Sequence, residues 1–164
     1  MSMNFHRRLL PALAVAALLS ACGFQLQGRQ QLPPWLATVQ VDAVDRHSDF
    51  TRALRRSLDA SGARLVDGNG TGIAVVRILS DQVTENVLSV DARNIPTDYE
   101  LIYEVEVEVR EGGEELMPAE PFLLSRIYSF NETRKLAKER EKDVLRQALA
   151  RDMAGMVLRR LTSL

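Results

Sequence analysis

Cysteine occurs once in this 164-residue chain, at position 22, and tryptophan once, at position 35. Histidine occurs at positions 6 and 47 only. One cysteine excludes an intramolecular disulfide. There is no Gly-x-Ser-x-Gly elbow and no His-Glu-x-x-His pair, so two common hydrolytic centres are absent. The glycine-dense stretch Gly68-Asn69-Gly70-Thr71-Gly72 is not followed by Gly-Lys-Ser/Thr and is not a phosphate-binding P-loop. No internal repeat is found. No acidic residue stands isolated in an apolar stretch that would raise its pKa, Asp152 excepted, and arginines neighbour that residue. These absences point away from catalysis and from a bound metal or cofactor.

Long apolar runs are also scarce, and the one present is informative. His6, Arg7 and Arg8 precede an apolar segment from Leu9 to Leu19. That is a basic n-region followed by an h-region of export-signal length. A bilayer span needs ~20 apolar residues, so this segment is too short to cross. It ends in Leu19-Ser20-Ala21-Cys22, an aliphatic residue, two small residues and cysteine. This is the pattern of a bacterial lipobox. Small residues admit a peptidase to the backbone, and the free thiol of Cys22 takes a diacylglyceryl group before cleavage. Residues 1–21 are then the signal, and the mature chain begins at an S-diacylglyceryl, N-palmitoyl Cys22. Each buried CH₂ contributes ~0.8 kcal/mol, so two or more chains anchor stably. Gly23 follows the cysteine, where Asp would signal retention in the inner membrane. The expected location is therefore the outer membrane, lipid-anchored and facing the periplasm.

Cleavage leaves 143 of the 164 residues, the size of one domain. Loss of Arg7 and Arg8 takes the 21 basic residues to 19 against 22 acidic ones, a balance of −3. That argues against nucleic acid as a partner. Residues 22–36, rich in Gln with Pro33-Pro34 near the end, read as an extended tether. Residues 37–164 read as a single domain.

Within it, Val39 and Val41 alternate with Gln40 and Asp42, a short strand. Ser48 offers a helix N-cap and Gly62 a C′ stop, with Phe50, Ala53, Leu54 and Leu58 at helical spacing between them. Arg52, Arg55 and Arg56 lie largely outside that stripe, as a solvated face or an anion-binding patch. A second strand starts near Ile73. Tyr99, Leu101, Tyr103, Val105, Val107 and Val109 then share one parity, and Glu100, Glu104, Glu106 and Glu108 the other. Such alternation means a strand with one buried and one wet face. Its glutamates sit roughly 6.6 Å apart along one face, too far for a compact calcium cage drawn from a loop. Glu111-Gly112-Gly113-Glu114 reads as a hairpin turn, Pro118 and Pro121 as an irregular return, and Phe122 to Phe130 as a further strand. From Lys135 the chain reads as helix, with Leu145, Ala148, Leu149, Met153, Met156, Val157 and Leu161 in one apolar stripe. The expected fold class is α+β, in the order β-α-β-β-β-α. Two helices pack on one face of a four-stranded, mostly antiparallel mixed sheet.

Cys22-Gly23-Phe24-Gln25-Leu26-Gln27-Gly28 resembles the start of the mature LptE family, the lipopolysaccharide-assembly lipoproteins, with Gln27 where an arginine is often found. Leu136-Ala137-Lys138-Glu139-Arg140-Glu141-Lys142-Asp143 resembles the opening of that family's last helix, and Asp98-Tyr99-Glu100-Leu101 its entry to a long strand. The resemblance implies a plug inside the outer-membrane β-barrel LptD. It also implies help in assembling that barrel and in inserting lipopolysaccharide into the outer leaflet. Partners so implied are LptD, lipopolysaccharide and, through the lipid, the outer membrane; no cofactor is implied. It implicates Lys138, on the matching Leu-Ala-Lys, in lipopolysaccharide binding. It also implicates Arg93, displaced by one residue because Ala92 occupies the matched position. Another reading is a periplasm-facing lipoprotein that binds cell-wall polysaccharide or another envelope protein.

Cys22→Ala is expected to yield a soluble or uncleaved precursor. Membrane fractionation with acyl labelling checks this. A variant still cut before residue 22 and still acylated would overturn the lipobox reading.

Overall fold

The computed structural model describes residues 32–68, 70, 72–129 and 135–164, with backbone alone for 135–138. The export signal, Cys22, tether residues 23–31 and Phe130 lie outside the described residues. After a 3-10 turn at Pro34–Leu36 come strand β1 (Thr38–Ala43), helix α1 (Asp49–Ala60), β2 (Arg64–Leu65), β3 (Ala74–Val90), β4 (Pro96–Glu111), β5 (Glu114–Ser129) and helix α2 (Lys135–Thr162). The strands form one sheet in the order β2-β1-β3-β4-β5. β1 runs parallel to β2 and β3, whereas β3, β4 and β5 form an antiparallel meander. The fold class is the expected one, α+β with a mixed sheet, and the sheet has five strands where four were expected. The extra strand, β2, is two residues long, too short to show a period.

Helix α1 is set by its ends. Ser48 Oγ accepts the Thr51 N–H at 3.0 Å, and the buried Tyr103 hydroxyl accepts the Phe50 N–H at 3.2 Å. Two of the four orphan donors at the N-terminus are thus satisfied. At the other end Gly62 takes φ +98°. Its N–H reaches the Asp59 carbonyl at 2.9 Å, and that of Ala63 reaches Leu58 at 3.0 Å, which is a Schellman stop. The β4–β5 turn needs positive φ at both central residues, and Gly112 (57°) and Gly113 (96°) supply it.

The core lies between the sheet and the two helices. Leu101, Tyr103, Val105, Val107 and Val109 from β4 meet Phe50 and Leu54 of α1 and Leu149, Met153, Val157 and Leu161 of α2. Trp35 and Leu36 pack against the same cluster, Leu36 fully buried. Among the described residues, the opposite sheet face carries no helix. There Arg77 bridges three strands, reaching Glu108 on β4 at 2.7 Å and Asp42 on β1 at 3.4 Å.

Two irregularities decide which side chains face the helices. The register of β3 on β4 slips between Ile78 and Ser80. Before the slip Ala74, Val76 and Ile78 face the core; after it Asp81, Val83, Glu85 and Val87 sit opposite Val105, Tyr103, Leu101 and Tyr99. β5 slips beside Val109 and continues as strand through Pro118 and Pro121, where an irregular segment was expected. Those prolines are tolerated because β5 is an edge strand with no ladder on its outer side.

Leu54 is fully buried. Leu54→Ala is expected to cost about 3 kcal/mol, from lost transfer energy plus a residual cavity. Ser48→Ala is expected to cost about 1 kcal/mol as a lost cap. Urea unfolding midpoints check both, and equal effects would contradict this account of the core.

Candidate functional site

The site implied by the sequence lies at one end of the sheet. β3 and β4 extend beyond the last β1 pairing, Ala43 with Ile78, as a ribbon that turns at Asp91–Ile95. Asp91 builds that turn. Its Oδ1 accepts the backbone N–H groups of Arg93 (2.8 Å) and Ile95 (3.0 Å). Asn94 takes φ 63°, a conformation its short polar side chain tolerates. The Ile95 amide first, and then the Arg93 guanidinium, hold the Asp91 carboxyl below the usual carboxylate range.

Arg93 therefore sits on the turn, but not unengaged. Its Nε and Nη2 lie 3.1 and 3.0 Å from Asp91 Oδ2. The side chain remains 74% exposed. Beside it on the ribbon, Val87, Leu88 and Val90 are each about half exposed. The turn thus carries an exposed guanidinium at the end of a ribbon that bears half-exposed apolar side chains.

Below the turn a polar network ties the three strands. Asp98 accepts hydrogen bonds from Ser89 and from Ser129 (2.8 Å), and these hydroxyls lower its pKa. Tyr99 and Tyr128 stack with centroids 5.5 Å apart. The Tyr128 hydroxyl donates to Glu85 Oε2 at 2.6 Å, and Lys142 of α2 reaches the same oxygen at 2.5 Å. Partial burial opposes ionisation of Glu85, but the Lys142 and Tyr128 hydrogen bonds outweigh it and leave the pKa lowered. Burial first, then Glu85, pushes the Tyr128 hydroxyl up. The bridge fixes the start of α2 to the ribbon, so Lys138, one turn before Lys142, enters at the same end of the molecule as Arg93. The Lys138 side chain and Cys22 lie outside the described residues.

His47, the only histidine described, is exposed; its backbone N–H is fixed by Asp45 at 2.7 Å, and among the described residues no hydrogen bond orients its ring. Burial, then the Asp81 charge, pushes the Tyr103 hydroxyl up and keeps it protonated. Among the described residues no group of three His, Cys, Asp or Glu is placed to hold a metal. No described helix is long and apolar enough to cross a membrane. Asp152 is paired at 2.7 Å with Arg126 of β5, and not with the arginines beside it in sequence. Sequence reasoning missed the Arg93–Asp91 clasp, although an aspartate three residues before Asn94 is a turn signal.

The comparisons with known proteins agree with one another. The chain is 30% identical over 161 residues to the LPS-assembly lipoprotein LptE of Pectobacterium atrosepticum, covering 97% of this chain and 87% of that one. It is also 30% identical over 158 residues to the protein of the same name from Yersinia enterocolitica, covering 95% and 76%. Among solved structures, the rare lipoprotein B from Shewanella oneidensis matches with a TM-score of 0.65 at 28% identity, covering 77% of this chain and 94% of that chain. The lipoprotein B from Nitrosomonas europaea shares the fold with a TM-score of 0.72 at 24% identity, covering 86% and 91%. The LptE lipopolysaccharide-assembly family model matches residues 36–161, from the buried Leu36 to the last core residue of α2, and the chain belongs to that family.

Proposed function

We propose that this protein is a non-catalytic outer-membrane lipoprotein of lipopolysaccharide assembly. Acyl chains on Cys22 hold it at the periplasmic leaflet. Its domain plugs the LptD barrel, assists that barrel's assembly and helps pass lipopolysaccharide to the outer leaflet. The observation that carries this reading is the family match across nearly the whole domain. The fold is compatible with it. A sheet with one polar, helix-free face suits the polar lumen of a large barrel. The turn supports the ligand assignment: lipid A is an amphiphile with anionic phosphates, and the ribbon that ends in Arg93 carries half-exposed Val87, Leu88 and Val90. Arg93 is the fork that can grip phosphate oxygens and Lys138 the compact charge. To do so Arg93 must share its guanidinium between phosphate and Asp91, and only some of its five donors are spent on Asp91. The cell-wall polysaccharide reading loses support, because every described Trp, Tyr and Phe is buried or only partly exposed.

The charge reversal Arg93→Glu with Lys138→Glu is expected to weaken lipopolysaccharide binding, the more so at low salt. Circular dichroism and barrel co-purification should not change. Unchanged affinity in the folded double variant would remove both residues from the site. Extraction of native membranes in mild detergent should recover the protein with a stoichiometric barrel of roughly 80–90 kDa, a size in keeping with large plugged barrels. A chain that elutes alone in every gentle detergent would overturn the plug reading.

A further inference from the structure

The helical layer carries a second basic feature, away from the β3–β4 turn. Where α1 packs on α2, a cleft of about 270 Å³ is lined by Asp49, Arg52, Arg56, Gln147 and Arg151. Arg52 and Arg56 lie four residues apart on α1, and Gln147 and Arg151 four apart on α2, so each pair shares one helix face. The sole carboxylate of the cleft is already committed: Asp49 Oδ1 takes Arg52 at 2.6 Å and Oδ2 takes Arg146 at 2.8 Å. Arg56 and Arg151 form no ion pair among the described residues. Like charges spaced four apart destabilise a helix, and two uncompensated guanidiniums facing one cleft add repulsion across it. The chain as a whole is net −1. A positive cleft is therefore local, and not the overspill of a basic protein.

We propose that this cleft binds a phosphate-type oxyanion, with Arg56 and Arg151 as the gripping forks and the Gln147 amide as a neutral donor. Planar guanidiniums pair with phosphate oxygens two bonds at a time, and the amide adds a donor without adding charge. Arg52 stays on Asp49 and positions the rim. The site does not depend on the proposed assembly role: it uses neither Arg93 nor Lys138, and it lies on the helices and not on the ribbon. The oxyanion is either free phosphate or the monoester head of a membrane lipid.

The full lipidated chain in phosphatidylcholine nanodiscs separates these sources. Arginine side-chain Nε–Hε NMR signals are followed as inorganic phosphate is added at constant ionic strength, and in parallel discs in which phosphatidic acid replaces part of the phosphatidylcholine. Saturable shifts confined to Arg56 and Arg151 in either arm support the site, and the arm that gives them names the source. In Arg56→Gln with Arg151→Gln, affinity should drop about ten-fold or more, as for the loss of charge-assisted hydrogen bonds. No saturable shift in either arm overturns the proposal. So do equal shifts at Arg64 and Arg159, which lie outside the cleft. The wild-type titration decides the matter even if the double variant fails to fold.

Discussion

Strand β4 has to send five consecutive odd-numbered side chains out of water together, and the rest of the domain follows from that. A strand cannot bury one face alone. Leu101 through Val109 need a lid as long as themselves, and two helices of opposite chain ends provide it. Tyr103 shows how closely lid and sheet are joined: its ring is core, and its hydroxyl serves as a cap for the N-terminus of α1. The same alternation leaves the glutamates of β4 on the far face, where, among the described residues, Glu108 meets an arginine from a neighbouring strand. One-sided burial in the sequence thus becomes one-sided architecture.

Elements governed by short-range rules were legible in the sequence. The Gly112-Gly113 hairpin, the Gly62 stop, the Ser48 cap and the apolar stripe of α2 each depend on residues within one or two turns of one another. What escaped the sequence depends on partners. β2 is a strand only because β1 is there to pair with it. The slip at Leu79 exchanges the faces of β3, so that Asp81 and Glu85 point toward the helices, and no local pattern marks where it falls. β5 tolerates two prolines because it is an edge, a fact of sheet order. Arg93 and Lys138 were singled out through resemblance, and the clasp of Arg93 on Asp91 came only with the structure. Likewise Arg56 read as either solvated or anion-binding until α2 brought Arg151 beside the same cleft.

Charge is sorted along with burial. The open sheet face gathers acids, while α1 and α2 gather arginines at their seam. Two arginines of α2 stitch elements together across long sequence separations: Arg146 to Asp49 at 2.8 Å and Arg160 to Glu120 at 2.9 Å. Such exposed pairs contribute little individually to stability. Their worth lies in registry: Arg146 sets α2 against α1, and Arg160 sets it against β5. The Glu85–Tyr128–Lys142 bridge does this at the ribbon end and couples the position of the first turns of α2 to that of the β3–β4 turn.

The prolines of β5 have a consequence for the company this sheet can keep. An unpaired strand edge invites annealing by any chain that carries matching amides and carbonyls. Pro118 and Pro121 delete two donors from that edge, and the bulge between Met117 and Glu120 breaks its spacing. A strand laid along β5 would meet a ladder with missing rungs. The β5 edge can therefore lie among β-rich neighbours, or against copies of itself, without being zipped into a continuous sheet.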